Sequence, residues 1–169
     1  ATCQGYRDGS AWARGQAWGV YGCALAYRYT GEEKYIENFK HVTQYFLDHL
    51  PEDLVPYWDL EFTDGDDQPR DSSSASIAAC GMLEMAKYLH DEDAAFYTDI
   101  AKKLMKSIYD NYRVTDPKTS NGLVLHSTYS NHSPYNTCDH KGVDECNSWG
   151  DYFYMEALTR LSKDWNPYW

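Results

Sequence analysis

The sequence of 169 residues lacks the features that mark several common classes of protein. It has no apolar run near the roughly 18 to 20 residues of a membrane-spanning helix. Its opening stretch, ATCQGYRDGS, shows neither the basic nor the apolar region of a secretion signal. Basic residues are few, since 15 Lys and Arg stand against 26 Asp and Glu, for a net charge of -11. Without a basic cluster to neutralise phosphates, neither nucleic acid nor a membrane is predicted as a partner.

Cysteine is sparse and follows no metal-binding or disulfide pattern. No CxxC pair occurs among the five cysteines, which are Cys3, Cys23, Cys80, Cys138 and Cys146. We therefore predict mostly free thiols. Cys138 and Cys146 share a loop with His132 and His140, but their spacings match no zinc pattern, and no metal site is predicted. A phosphate-binding glycine loop and a Ser, His and Asp triad order are also missing.

Aromatic residues are what the sequence has in excess, with 16 Tyr and 6 Trp. They are mixed with polar residues rather than with Val and Ile. Such surfaces suit sugars, because the apolar face of a sugar ring stacks on an aromatic ring while its hydroxyls need hydrogen-bond partners. The composition therefore favours carbohydrate binding.

Hydrophobic periodicity predicts an all-α chain with two kinds of helix. Three helices, near Ala11 to Tyr29, Ser74 to Leu89 and Ser148 to Leu161, are apolar or small nearly all round and should be buried on several sides. Two amphipathic helices, near Glu32 to Leu50 and Ala94 to Tyr112, should lie outside them. Alternating inner and outer helices predict a solenoid or a closed toroid. Two hairpins and one last inner helix leave an open flank, so we expect residues 1–169 to be part of a larger single domain.

Two long segments, Pro51 to Ser73 and Arg113 to Asn147, connect these helices. Loops longer than about 12 to 15 residues are uncommon unless they are functional or disordered, and aromatic residues such as Trp58 and Tyr129 favour order. Three stretches, GYRDGSAW, QPRDSSSAS and GVDECNSW, run into the starts of inner helices. We predict that they converge on one end of the barrel, where the mouth of a cavity should lie.

An arginine stands in the first inner helix, within WARGQAWG. Arg14 and Trp18 are four residues apart and share a helix face, with Trp12 one turn away at the helix entrance. A buried arginine needs a partner for its charge, and no acid follows on the same face. One alternative is a clamp for a carboxylate and a sugar ring, built from Gln4, Arg14 and the two tryptophans. The other is a salt bridge within the chain.

Acidic residues near the helix starts offer partners for that salt bridge. Asp8 and Asp71 are the candidates, and from spacing alone the salt bridge is slightly favoured over the clamp. Taken singly, Asp8, Asp71 and Asp151 are interpreted as residues that cap helix N-termini. Asp59, next to Trp58 in PYWDL, is the acid most like a pocket residue.

Several of these stretches together resemble a known family. QGYRDGSAWARGQAWGVYGCALAYRYTGEEKY, PYWDLEF, PRDSSSASIAACGMLEM and SWGDYFYMEALTRL are similar to the unsaturated glucuronyl hydrolases of glycoside hydrolase family 88. The resemblance covers nearly the whole chain. It implies an (α/α)6 barrel of which this chain is about the C-terminal half, in a bacterial protein of the cytoplasm or periplasm.

The resemblance also implies a reaction and its participants. Family members release an unsaturated uronic acid from lyase-generated oligosaccharides by hydrating its C4–C5 double bond, without metal or cofactor. The pocket motif matches Gln4, Trp12, Arg14 and Trp18, which are the predicted substrate-binding residues. Trp58, Tyr129 and Lys141 are further predicted contacts. The family histidine before the glutamine is Cys3 here.

The two essential aspartates of the family lie upstream of QGY, so no catalytic residue is predicted in this chain. The expected partners are an unsaturated uronate oligosaccharide and either the N-terminal half of the barrel or a second copy. Some members bind sulfate through Ser-x-x-Ser-x-Lys, where this chain has Asn136, Asp139 and Lys141, which implies a preference for unsulfated sugars. Two alternatives stay open: an unsaturated rhamnogalacturonyl hydrolase, and a noncatalytic carbohydrate-binding half-barrel.

Overall fold

The structure, a computed structural model, describes residues 4–131 and 142–167. Helices make up the regular secondary structure of this part of the chain. They are α1 (Ala13–Thr30), α2 (Lys34–Asp48), α3 (Ser72–Met85), α4 (Asp91–Asn111) and α5 (Ser148–Ser162), with a short 3-10 turn at Ala86–Tyr88 after α3. All five predicted helices are confirmed, with ends that differ by a few residues. No helix among these residues is long and apolar enough to cross a membrane.

The central element is α3, whose fourteen residues are all buried. It packs between α1 and α5, while α2 lies against α1 and α4 lies against α3. Small residues allow this close packing. A Cβ atom at Gly81 would lie 2.7 Å from the Cα of Tyr21, so the backbones of α3 and α1 nearly touch there. The predicted division into inner helices (α1, α3, α5) and outer helices (α2, α4) is confirmed.

The outer helices each turn one apolar face inward. On α2 the buried residues are Phe39, Thr43 and Phe46, and on α4 they are Tyr97, Ala101, Leu104, Met105 and Ile108. The rings of Phe39 and Tyr97 meet edge to face, with centroids 4.9 Å apart. Beside the buried face, α4 carries two exposed aromatic residues, Phe96 and Tyr109.

Both long connections are ordered where the structure describes them, and they lie at the N-terminal ends of the inner helices. Trp12 pairs with Asp59 in an antiparallel bridge at the start of α1. At the start of α3, the backbone N–H of Ser72 donates to the carbonyl of His126. This convergence on one end of the inner helices is the predicted one.

A buried charge network fastens the opposite ends of the inner helices. Glu84 of α3 is fully buried and accepts hydrogen bonds from Arg28 of α1 (2.8 Å) and Arg160 of α5 (2.5 Å). Lys87 (3.0 Å) and the hydroxyl of Tyr88 (2.8 Å) also donate to it. One carboxylate thus ties three helices together.

One side of this arrangement is left open. The large apolar side chains exposed on α1 and α5 include Trp18, Tyr152, Met155 and Leu158. In the described chain, α5 packs mainly on α3, with a minor contact to α4. Folded proteins rarely leave an apolar surface of this kind exposed to solvent.

Candidate functional site

The N-terminal ends of the three inner helices meet at one place. The hydroxyl of Ser72 on α3 lies 2.9 Å from that of Ser127, and a Cβ atom at Gly150 on α5 would lie 2.8 Å from the same Ser127 hydroxyl. The first turn of α1 joins through Arg14, which contacts Ser73. Helix N-termini carry partial positive charge, so this end of the bundle favours an anionic ligand.

Arg14 lies at the centre of this end, and only 3% of its surface is exposed. Its Nη1 donates to Asp71 Oδ2 (3.1 Å), to the Ser73 hydroxyl (3.3 Å) and to the carbonyl of Thr128 (2.7 Å). Its Nη2 donates to the carbonyl of Tyr129 (2.7 Å). Of the two predicted alternatives, the salt bridge to Asp71 is therefore present. The contacts of Arg14 join α1 to α3 and to the long segment Arg113 to Asn147.

Aromatic rings lie on the guanidinium of Arg14. Its Cζ is 4.8 Å from the ring centroid of Trp12 and 5.1 Å from that of Trp149. The ring of Tyr129 is tilted against Trp149, with centroids 5.5 Å apart. We call Trp12, Arg14, Asp71, Tyr129 and Trp149 the arginine cluster. Its contacts combine cation–π attraction with charge-assisted hydrogen bonds.

Trp149 is the member of the cluster that sequence reasoning missed. Its indole N–H is buried and has no hydrogen-bond partner among the described residues, which is uncommon for a tryptophan. A signal was present in the sequence, because Trp12 is the N-cap of α1 and Trp149 is the second residue of α5. A tryptophan at the start of two inner helices predicts that the two rings lie at the same end.

The acids were predicted to cap helix N-termini, and for Asp71 this prediction is correct only as regards its position. Asp71 is the N-cap residue of α3, but its carboxylate bonds to no N–H of that helix. It accepts instead from the Ser73 hydroxyl (2.5 Å), the Ser74 hydroxyl (2.8 Å) and the N–H of Thr128 (3.3 Å). Asp151 also accepts from two backbone N–H groups outside its own helix, in the long segment Arg113 to Asn147. The side chain that caps α5 is Asn147, which accepts from Gly150 N at 2.7 Å.

Trp58, another predicted substrate contact, lies in the core of the described chain. Only 1% of its surface is exposed, and its indole N–H donates to Gln68 (3.0 Å). Its ring packs beside Tyr6 and Phe62. With so little of its surface exposed, Trp58 is a core residue in the described chain, and its contact with a sugar stays a prediction.

Asp59 is a structural acid rather than a pocket residue. It is fully buried and accepts from the N–H of Tyr6 (2.9 Å), the hydroxyl of Ser10 (2.8 Å) and the N–H of Glu61 (3.1 Å). These bonds fix the turn that precedes α1.

The other predicted contacts have different environments. Trp18 is 38% exposed, and its ring meets Phe153 of α5 edge to face at 5.1 Å. Gln4 is partly buried, at the beginning of the described chain. Lys141 lies outside the described residues, as do Asn136 and Asp139. The substrate roles of Gln4, Trp12, Arg14, Trp18, Tyr129 and Lys141 stay predictions.

The thiols and the possible metal ligands are the remaining candidate functional groups. Cys23, Cys80 and Cys146 are free, while Cys3 and Cys138 lie outside the described residues together with His132 and His140. Burial raises the pKa of the Cys80 thiol well above its usual value. Within residues 4–131 and 142–167, no His, Cys, Asp and Glu side chains form a group able to hold a metal ion.

Fold and site together define a class of protein. Small-residue inner helices wrapped by amphipathic outer helices form part of an α/α barrel. One end of it carries an arginine between aromatic rings, an arrangement that suits an anionic, ring-shaped ligand.

Comparison with known proteins finds relatives that match nearly the whole chain. The chain is 52% identical over 170 residues to the unsaturated chondroitin disaccharide hydrolase of Streptococcus pyogenes serotype M1, a match that covers 99% of this chain and 41% of that protein. It is 39% identical to the unsaturated glucuronyl hydrolase of Bacillus sp. strain GL1, covering 99% of this chain and 44% of that protein. No protein-family model matches the sequence.

A solved structure agrees with the sequence matches. A mutant unsaturated glucuronyl hydrolase of Streptococcus agalactiae, in complex with dGlcA-GalNAc6S, superposes with a TM-score of 0.90 at 48% identity. The match covers 100% of this chain and 44% of that chain. The chain is thus homologous to unsaturated glucuronyl hydrolases and corresponds to about the C-terminal half of their α/α barrel. It spans about two fifths of the length of the curated relatives it matches.

Proposed function

We propose that the chain is the substrate-binding half of an unsaturated glucuronyl hydrolase. In this proposal the complete enzyme releases an unsaturated uronic acid from the non-reducing end of an oligosaccharide by hydrating the C4–C5 double bond. The observation that carries the proposal is the arginine cluster, in a chain about half identical to unsaturated chondroitin disaccharide hydrolases. The names of these relatives also favour a glucuronyl over a rhamnogalacturonyl substrate.

Arg14 has donors to offer a substrate carboxylate in spite of its salt bridge. Its Nη1 and one N–H of Nη2 are engaged, whereas the Nε–H and the second N–H of Nη2 donate to no described residue. These two groups can form the parallel pair of donors that a carboxylate accepts in bidentate fashion. The rings of Trp12 and Trp149 flank the guanidinium. Arg14 is therefore proposed to bind the uronate carboxylate.

The remaining proposed contacts concern the sugar ring. Trp18 stands one helical turn after Arg14 and is exposed enough to stack on a ring. Gln4 would hydrogen-bond a hydroxyl group, and Tyr129 would contact the sugar beside Trp149. The acid that protonates C4 is proposed to come from an N-terminal segment that completes the barrel, as a single domain with residues 1–169.

A test separates binding from catalysis. Binding of an unsaturated chondroitin disaccharide to the chain is followed by tryptophan fluorescence, and hydrolysis by the loss of the ultraviolet absorbance of the double bond. We expect binding without hydrolysis, lost in Arg14→Ala. A matched control is Arg70→Ala, because the Arg70 side chain also pairs with an aspartate (Asp53) and lies over a ring (Tyr57, 4.0 Å), while its hydrogen bonds go to residues outside the cluster.

Other outcomes of this test are equally informative. Hydrolysis by the chain alone would contradict the assignment of the catalytic acid to another segment. Equal loss of binding in both arginine variants would contradict a specific role for Arg14. Fusion to the N-terminal part of the Streptococcus pyogenes relative should give hydrolysis. Binding without hydrolysis in that fusion would favour the second candidate, a noncatalytic carbohydrate-binding half-barrel built around the arginine cluster.

Sulfate preference is a separate proposal. Asp139 stands where some family members have a sulfate-binding serine, and its negative charge would oppose a sulfate group. We therefore expect the unsulfated disaccharide to be preferred over the 6-sulfated one. Equal or better use of the sulfated sugar would contradict this.

A further inference from the structure

Asp71 faces Arg14 from the first turn of α3, and none of its surface is exposed. Its Oδ1 accepts from the Ser73 hydroxyl and the N–H of Thr128, and its Oδ2 accepts from Arg14 and the Ser74 hydroxyl. A carboxylate has about four lone-pair sites, so these four bonds occupy its capacity. Asp71 has no acceptor position left for a ligand.

The orientation of the Arg14 guanidinium follows from these contacts. Asp71 and the carbonyl of Thr128 hold Nη1, and the carbonyl of Tyr129 holds one side of Nη2. The flanking rings of Trp12 and Trp149 restrict rotation out of the plane. The edge formed by Nε and Nη2 is the only part of the fork without an acceptor among the described residues.

We infer that Asp71 is a positioning residue for substrate binding: it anchors one end of the Arg14 guanidinium and thereby directs the opposite edge at the carboxylate of an acidic sugar. The inference rests on the proposed function of the cluster. It also assigns Asp71 a second task, because the same carboxylate holds the N–H of Thr128 and so the backbone that carries Tyr129.

Charge and geometry predict opposite effects of neutralising Asp71. An Arg14–Asp71 pair has no net charge, so affinity for a uronate must come from the geometry of the donors and from the nearby helix N-termini. Replacing Asp71 with neutral Asn removes a negative charge from the site. Charge alone predicts tighter binding of an anion by Asp71→Asn, whereas loss of the anchor predicts weaker binding.

The experiment compares Asp71→Asn with Asp59→Asn in the whole chain. Both aspartates are fully buried and both hold loop backbone at the start of an inner helix, but Asp59 has no contact with Arg14. The probe is the unsulfated unsaturated chondroitin disaccharide, titrated by tryptophan fluorescence. We expect Asp71→Asn to raise the Kd about tenfold and Asp59→Asn to change it less than about twofold. Equal or tighter binding by Asp71→Asn, or the same loss in both variants, would overturn the inference.

A second readout does not depend on the sugar. In nitrogen-15 NMR spectra, hindered rotation separates the Nη signals of an anchored guanidinium. We expect separate Arg14 signals in the unsubstituted chain and in Asp59→Asn, and averaged signals in Asp71→Asn. Unchanged signals in Asp71→Asn would overturn the inference even if the sugar did not bind to any of the proteins. Absence of sugar binding by the unsubstituted chain, with the expected NMR result, would count against the proposed function and support the anchoring role.

A milder variant covers the case in which Asp71→Asn folds poorly. Ser74→Ala removes one hydrogen bond to Asp71 Oδ2 and keeps the charge. We expect it to raise the Kd in the same direction, about twofold to threefold. No change in Kd or in the Arg14 signals would count against the anchor.

Discussion

Glu84 shows how strongly a single residue depends on its buried partners. Burial by itself raises the pKa of this carboxyl, but hydrogen bonds from Arg28, Arg160, Lys87 and Tyr88 outweigh it and lower the pKa to about 2. The ordinary value is 4.5, so the folded state holds the charged form more tightly than the unfolded state does. The stabilisation is fully present above pH 4.5 and is lost as the pH falls toward 2.

Because folding lowers the pKa of Glu84, the stability of the chain should decrease at acidic pH. The free energy of unfolding should fall by about 2 kcal/mol between pH 5 and pH 3 through Glu84 alone. Urea unfolding of the chain and of Glu84→Gln at each pH isolates the effect, because other carboxylates titrate in both proteins. The variant should be less stable at pH 7 by about 3 to 5 kcal/mol, since it removes the ion-pair partner of Arg28 and leaves the buried Arg160 with Glu156 alone. The difference between the two proteins should shrink as the pH falls, and a constant difference would contradict the lowered pKa.

Residues of the candidate site show how far sequence reasoning reaches at this scale. Arg14 could be singled out, because a buried arginine in a helix of small residues requires a partner. The choice of Asp71 over Asp8 could not be made, since Asp71 is 57 residues away and only the packing of α1 on α3 brings it close. The burial of Trp58 could not be predicted for a similar reason, because an aromatic residue in a loop has no local signal for burial.

At the scale of elements, the approach of α1 to α3 depends on Gly81. A Cβ atom there would lie 2.7 Å from Tyr21 Cα and 2.8 Å from Tyr21 N, both backbone atoms that cannot move aside alone. Gly81→Ala should therefore push the helices apart and lower the free energy of unfolding by about 2 to 3 kcal/mol. Denaturant unfolding measures this loss.

Gly22 provides the matched control on the partner helix. A Cβ atom at Gly22 would meet nothing within 4 Å, and the residue lies in the middle of α1. Gly22→Ala should stabilise the chain by about 0.5 to 1 kcal/mol, because alanine costs less conformational entropy in a helix than glycine does. Similar effects of the two substitutions would show that the close backbone approach does not control stability.

The helices themselves were predictable because their periodicity is local. Small residues all round α3 predicted a buried helix, and every residue of α3 is buried. Its start was misplaced by two residues, since Ser72 and Ser73 look like loop residues in sequence. In the structure the Ser72 hydroxyl donates to Leu125 O, a partner supplied by a tertiary contact, and the Ser73 hydroxyl donates to Asp71.

At the scale of the whole molecule, the open side of α5 calls for a partner. Met155 is 50% exposed and Leu158 is 36% exposed, although the other side of the helix is buried on α3. The matched relatives are more than twice as long as this chain, so a further segment is available in them to cover such a face. We propose that the N-terminal half of the barrel packs there, and that a second copy does so when the chain is alone.

That proposal predicts self-association of the isolated chain through α5. Replacing Met155 and Leu158 together with Gln removes apolar surface without changing the net charge of -11. Sedimentation velocity should show dimers or larger species for the unsubstituted chain and mainly monomer for the double variant.

A control with Phe96→Gln and Tyr109→Gln, which are 50% and 49% exposed on outer helix α4, should associate like the unsubstituted chain. A monomeric unsubstituted chain, or equal association of both double variants, would contradict the proposal. Fusion to the N-terminal part of a relative should abolish self-association without any substitution, because the same face would then be covered within one molecule.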